Sequence, residues 1–390
     1  MIRKIACLNA IDQKGLDVFQ YHNITENKDV ADAWLVRSAK LHDQDFPSTL
    51  RAIGRAGAGV NNIPLDRCAD EGIVVFNAPG ANANGVSELV IAMMVLASRD
   101  IIGGVNWVQA NRDKENITEL TESEKRAFVG TELRGKTLGI IGLGAIGHLV
   151  ANAAVGMGMK VIGYDPMIPV EYAWRLSRQV QHAETPEQAI TQSDFVSLHI
   201  PLTDKTRQIV NKEQLDKMKT GAILLNFARD LLCDEDDVLD ALESGKLRRY
   251  VVDFPNPKNV LFPNTIVTPH IGASTLESEE KSANMVAEDV KEYLEQGNIA
   301  HSVNYPAVSL GIQETETRIV ALHRNRPNMI TQISSMLGDA GYNIAKMISD
   351  SRGDYAAAIV DVNDCLDRDF IMQLIEHPDM LRIRVLHIDD

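Results

Sequence analysis

The sequence predicts an α/β protein in three blocks: a doubly wound parallel sheet inserted into a second, split α/β domain, followed by a β-α-β-β-α-β module. Three observations predict it. Short apolar runs alternate with helical patterns over most of the chain, the mark of βαβ units. A glycine-rich turn, Gly142-Leu-Gly144-Ala145-Ile146-Gly147, links one such run to a helix. From Thr317 the pattern restarts, with two adjacent strands between two helices.

In chain order, strand-like runs at 4–8, 33–36 and 74–77 and a long apolar helix from about 85 to 98 make the first block, 1–99. Strands near 137–141, 160–164, 195–199, 222–226 and 249–253, with helices between them, make the second, 100–273. Residues 276–296 read as one amphipathic helix closed by Gly297, which returns the chain to the first block through 274–303. After a turn-rich stretch at 304–311 come strand 318–323, helix 329–340, strands 342–348 and 356–362, helix 370–376 and strand 382–387. That order within 315–390 is ferredoxin-like.

Composition narrows the function. With 390 residues, 45% hydrophobic and 24% charged, the chain is ordinary globular material. Its 39 basic and 54 acidic residues give a net charge of −15, which disfavours nucleic acid and anionic membrane as partners. Any anionic substrate therefore needs a local basic pocket. Cys7, Cys68, Cys233 and Cys365 lie far apart without metal or redox spacing, so reduced thiols and no metal are expected. No signal-peptide core and no run of ~18 apolar residues is present, and a cytoplasmic protein is expected.

The glycine turn has dinucleotide spacing. Gly142 permits the tight turn, Gly144 lets amides approach a pyrophosphate, and Gly147 allows close helix–strand packing, with Ala145 and Ile146 opening the helix. The next strand ends in Asp165, 18 residues past Gly147, close to the ~20 expected of the acid that binds the ribose hydroxyls. A carboxylate there repels a 2′-phosphate, so NAD is favoured over NADP.

Three more segments stand at ends of successive strands: Asn226-Phe227-Ala228-Arg229-Asp230, Val251-Val-Asp253-Phe-Pro-Asn256-Pro and Thr268-Pro-His270-Ile-Gly272-Ala273-Ser-Thr275. Reducing a 2-oxo acid by hydride needs a proton donor at the developing alkoxide and a cation on the carboxylate. His270 suits the first, and the planar fork of Arg229 suits the second. These motifs resemble those of the D-isomer-specific 2-hydroxyacid dehydrogenases. The terminal module, with His323-Arg-Asn325-Arg-Pro327 and Gly341-Tyr-Asn343-Ile, resembles the ACT regulatory domain of the branch acting on 3-phospho-D-glycerate.

The resemblance implies a Rossmann-like NAD domain and a flavodoxin-like substrate domain. It adds Phe227, Ala228, Arg229, Asp253, His270, Gly272 and Ala273 to the cofactor contacts. Arg37, Ser38 and Lys40 match its substrate-phosphate loop, and Gly59, Val60 and Asn61 its carboxylate loop. It further implies oxidation of 3-phosphoglycerate at the entry to serine synthesis. L-serine would be an effector held by His323, Asn325 and Asn343, in a homo-oligomer (dimer or tetramer) joined through the ACT sheets.

Two departures stand out. The family's usual glutamate before a proline is replaced by Asn256, and Asn328 stands where a glycine is usual after Arg326-Pro327. The alternatives are another D-2-hydroxyacid dehydrogenase, including one acting on 2-hydroxyglutarate, and a non-catalytic regulator responsive to NAD and an amino acid.

Overall fold

A computed structural model describes residues 2–388. The chain divides into two compact units, residues 1–82 with 276–390, and residues 83–275. Among the described residues there are three sheets, of five, seven and four strands.

The first sheet comprises β1 (Lys4–Cys7), β2 (Asn23–Thr25), β3 (Ala33–Val36), β4 (Ala52–Arg55) and β5 (Val74–Asn77), all parallel, in the order β2-β1-β3-β4-β5. This is the flavodoxin-like order. β3 is buried along its whole length, as a strand covered on both faces must be.

Helix α1 (Ala83–Ser98) opens the second unit. From sequence it reads with the first block. Its buried Val86, Val90, Met93, Met94 and Ala97 instead share a core with Leu138, Ile140, Val150 and Val251. The sheet it covers comprises β6 (Thr137–Ile141), β7 (Lys160–Tyr164), β8 (Val180–His182), β9 (Phe195–Leu198), β10 (Ala222–Asn226), β11 (Leu247–Val252) and β12 (Thr265–Val267). The order β12-β11-β10-β9-β6-β7-β8 is parallel throughout and reverses at β6, the doubly wound arrangement. Helix α2 (Gly147–Gly156) follows β6, and α3 (Glu235–Glu243) follows β10.

Helix α4 (Leu276–Gln296) returns the chain to the first unit. Its buried stripe of Ser282, Ala283, Val286, Ala287, Val290, Tyr293 and Leu294 follows the helical period. Gly297, at φ +73°, ends it. The terminal module then forms β13 (Thr317–Arg324), α5 (Met329–Asp339), β14 (Ile344–Arg352), β15 (Tyr355–Val362), α6 (Arg368–Ile375) and β16 (Met380–His387). Its antiparallel order β14-β15-β13-β16 is ferredoxin-like.

Both faces of that sheet are covered by the chain itself. Ile319 and Ala321 pack with Ile333, Leu337 and Phe370, which come from the module's own helices. Val320 and Leu322, one residue out of phase, share a core with Val286, Val290 and Tyr293 of α4. Arg384 adds a polar tie, donating to the carbonyls of Tyr293 (2.7 Å) and Leu294 (2.8 Å) in the last turn of α4. The sheet edge β14 is left largely exposed.

Asn328 takes φ +68° at the start of α5. The position thus calls for left-handed backbone. Asparagine is among the residues that tolerate it when glycine is absent.

Candidate active site

In the second unit the phosphate loop starts where β6 ends. Gly142 lies at φ +94°, and a Cβ there would stand 2.5 Å from the carbonyl oxygen of His199. A Cβ on Gly147 would stand 1.9 Å from the Gly142 carbonyl oxygen, whereas one on Gly144 would meet nothing within 4 Å. The loop is therefore packed shut beneath and open at Gly144. Helix α2 begins at Gly147, two residues later than the sequence suggests, and its N-cap Ile146 supplies no side-chain acceptor. The His148 amide donates to the Gly144 carbonyl (3.2 Å), and the helix N-terminus beside it suits an outside anion.

Asp165 directly follows β7. Its Oδ2 accepts from the Leu143 amide (2.8 Å) and its Oδ1 from the Met167 amide (2.9 Å). The carboxylate is thereby tied to the glycine loop, and each oxygen keeps a lone pair for a hydroxyl. The first basic residue beyond it, Arg175, is paired with Glu171. This donor and acceptor set fits NAD: amides for the pyrophosphate, and an acid without a neighbouring cation for the ribose.

β10, β11 and β12 are adjacent and parallel, so their following loops rise from one edge of the sheet, with β10 and β12 roughly 10 Å apart. Arg229, Asp253 and His270 sit on those three loops. Asn226, fully buried at the end of β10, shapes the first: its Oδ1 accepts from the Ala228 amide (3.2 Å) and its Nδ2 donates to the Arg229 carbonyl (2.7 Å). Phe227 and Ala228 are buried, and Arg229 is exposed, its Nη1 donating to the Ala228 carbonyl (2.6 Å).

Asp253 organises the His270 loop. Its Oδ1 accepts from the Thr268 hydroxyl (2.6 Å) and the Ile271 amide (2.9 Å), and its Oδ2 from the Gly272 amide (2.8 Å). The buried carboxylate thus braces both sides of His270, which itself adopts φ +55°. The imidazole is exposed and meets the Phe254 ring at 4.9 Å, edge to face. Ala273 follows Gly272 in the same loop.

Asn256 faces elsewhere. Its Nδ2 donates to the Glu235 carboxylate on α3, and its Oδ1 accepts from the amides of Lys258 and Asn259, both at 2.9 Å. It is a turn brace, and no carboxylate partner of His270 is recorded among the described residues.

His199, after β9, lies under the phosphate loop. Its Nε2 is 2.9 Å from the Ser197 hydroxyl, its Nδ1 is buried without a partner, and burial lowers its pKa to about 4.

In the first unit, the candidate substrate loops follow the neighbouring strands β3 and β4. The amides of Arg37, Ser38 and Ala39 all donate to Asn9 Oδ1, at 2.9–3.1 Å. Arg37 pairs with Glu279 (2.6 Å), and Lys40 is exposed. The Gly59-Val60-Asn61 loop is joined to it by Asn62, whose Nδ2 donates to the Ala39 carbonyl (2.8 Å). Gly57, at φ +141°, leaves room for the Arg55 guanidinium, which a Cβ would meet at 1.8 Å. Asn9 is not among the residues singled out from sequence, and Arg55, Asn62 and Asn226 fall within motifs read there without a role of their own. A polar residue ending a buried apolar strand, as Asn226 does, was the available signal.

The proposed effector residues do not all meet in one copy. His323 ends near the β14–β15 turn, with Nδ1 2.8 Å from the Arg324 carbonyl and Nε2 buried without a partner, and burial lowers its pKa. Asn325 donates to Gly353 in that same turn (2.9 Å). Asn343 precedes Ile344, which stands opposite Val362 at the far end of the sheet. Seven to eight residues of strand, roughly 25 Å, intervene.

The glycine loop, Asp165 and the strand edge together define a dinucleotide-binding oxidoreductase domain. Residues 91–272 match the model of the D-isomer specific 2-hydroxyacid dehydrogenase NAD-binding domain. The chain belongs to the D-isomer specific 2-hydroxyacid dehydrogenases, a family of NAD-dependent oxidoreductases.

Among its relatives is the D-3-phosphoglycerate dehydrogenase of Methanocaldococcus jannaschii, 40% identical over 294 residues, 72% of this chain and 54% of that protein. The chain thus spans about half of that relative's length. The D-3-phosphoglycerate dehydrogenase of Haemophilus influenzae is 34% identical over 351 residues, 87% of this chain and 82% of that protein. The NAD+-bound 3-phosphoglycerate dehydrogenase of Entamoeba histolytica superposes with a TM-score of 0.62 at 26% identity, covering 78% of this chain and 99% of the other.

Proposed function

We propose that this protein oxidises 3-phospho-D-glycerate to 3-phosphohydroxypyruvate, the entry to L-serine formation. The observation that carries the reading is the set of three neighbouring strand ends bearing Arg229, Asp253 and His270 beside a loop that fits NAD. The loop from Gly142 to Gly147 and Asp165 would hold NAD, which would supply the acceptor for the hydride of the hydroxyl-bearing carbon. His270 takes the hydroxyl proton as general base, and Arg229 turns outward to pair with the carboxylate and polarise the forming carbonyl. Asp253 holds the histidine loop in place. In the first unit, Arg37 and Lys40 on the loop after β3 and Arg55 at the end of β4 are the cations that a phosphorylated acid would call for in a chain of net charge −15. The names carried by the relatives point to the same substrate.

The test is NADH formation with 3-phosphoglycerate beside D-glycerate, D-lactate and 2-hydroxyglutarate. The phosphorylated acid is expected to give the highest kcat/KM, and preference for an unphosphorylated acid overturns the reading.

L-serine as effector and a homo-oligomer belong to the same proposal, supported by the exposed edge β14. Antiparallel pairing of β14 with its counterpart in a second copy would bring Asn343 of each copy beside the His323–Asn325 end of the other. Serine inhibition that survives unchanged in Asn343→Ala, or a monomer in sedimentation, refutes it.

A further inference from the structure

At one end of the terminal sheet, side chains from three separate segments come together. Glu316 precedes β13, Cys365 lies in the segment after β15, and His387 is the last residue of β16. One ligand atom from each lies within 4.8 Å of the other two. Strand register produces the meeting. Thr317 stands opposite Val362 on one side and His387 on the other, and the Ile388 amide donates to the Glu316 carbonyl at 3.2 Å. Cys365 Sγ donates to Glu316 Oε1 at 3.2 Å.

We propose that Glu316, Cys365 and His387 form a three-ligand site for Zn2+, with water as the fourth ligand. One sulfur, one nitrogen and one oxygen are a donor set that zinc accepts at about 2.3, 2.0–2.1 and 2.0–2.2 Å. Tetrahedral bonds of those lengths place the donors roughly 3.3–3.6 Å apart. Sγ and the glutamate oxygen already stand about that far apart, and the remaining separations, at most 4.8 Å, close within the rotamer freedom of an exposed cysteine and a half-buried glutamate. The thiol sulfur selects against the hard ions Mg2+ and Ca2+.

Zinc replaces the proton that Sγ shares with Glu316, and binding releases that proton to solvent. Because binding displaces a proton, zinc uptake weakens as pH falls. The ion would clasp the first and last strands of the module, three residues beyond the Arg384 tie to α4.

The test uses the full chain, stripped with a chelator and titrated with Co2+ and then Zn2+. One cobalt per chain is expected, with a near-ultraviolet thiolate-to-cobalt band and the visible bands of four-coordinate cobalt, both displaced by Zn2+ and untouched by Mg2+. Zinc should also raise the melting temperature. Cys365→Ser, at an exposed position, should keep the wild-type circular dichroism but lose both the band and the thermal response. Glu316→Gln should weaken zinc by more than the ~10–100-fold that loss of an outer-shell partner costs. Absence of the thiolate band in wild type, or unchanged cobalt binding by Cys365→Ser, overturns the site.

Discussion

Arg318 and Asp361 face each other across β13 and β15 in a two-pronged pair, Nε to Oδ1 at 2.6 Å and Nη2 to Oδ2 at 2.9 Å, at 0% and 1% exposure. The remaining nitrogen, Nη1, donates to the carbonyls of Gln296 (2.9 Å) and Gly311 (2.7 Å). One guanidinium therefore joins the terminal sheet to the end of α4.

Asp361→Asn leaves that cation buried without its counter-charge. A loss of about 3–5 kcal/mol is expected, as for other broken buried pairs. The double replacement Arg318→Met with Asp361→Leu should cost much less than the two single changes summed. Urea unfolding followed by circular dichroism on wild type, Asp361→Asn, the two single changes of the cycle and the double variant, five proteins in all, checks both statements. Additive losses would show that the pair is not coupled.

Asp253→Asn should lower kcat more than it raises KM, since it loosens the brace on either side of His270 without removing the imidazole. His270→Ala should lose ~10²–10⁴ in kcat/KM, the usual share of acid–base catalysis. Steady-state kinetics on the two variants separates positioning from proton transfer. Equal losses in both would place Asp253 in the chemistry itself.

Asn256→Glu tests the departure at the family's glutamate. The residue faces Glu235, so a second carboxylate there adds repulsion and discards the amide donor. Stability should fall, and the kinetic pKa assigned to His270 should stay where it is in wild type. A rise in that kinetic pKa would mean that position 256 reaches the histidine.

His199 gives a pH signature. Its pKa of about 4 in the fold lies below the ~6.5 of the unfolded chain, so the unfolded state takes up the proton first as pH drops. The stability tied to this residue is full above pH ~6.5 and is lost as pH falls from there toward 4, on the order of 3 kcal/mol. His199→Asn should flatten that part of the stability curve relative to wild type, read from urea midpoints across pH 4–7.

Much of this molecule is legible in its residues. β6, β7 and β10 fall where the sequence places them, because each is an apolar run closed by a turn residue. β2, β8 and β12 have three residues each, too few to show a period. β4 was hidden by Gly54 and the glycines after it, which make the stretch resemble a connector.

The spread of the effector residues follows from strand direction. β13 and β14 run the same way, so a loop after one and a residue before the other lie at opposite ends. Glu316, Cys365 and His387 are 49 and 22 residues apart, and only the pairing of the strands between them brings them together.

The first unit's core unites residues from opposite ends of the numbering, Ile5 and Leu386 among them. On a ribosome, β1 to β5 emerge long before α4 and the terminal strands that cover them. The intervening 83–275 unit has its own cores and can fold during that wait. Until α4 and then the strands of the module are made, the early sheet stays uncovered where they will pack. Synthesis thus imposes an order in which the middle of the chain matures first, and the beginning depends on the last strand for its stability.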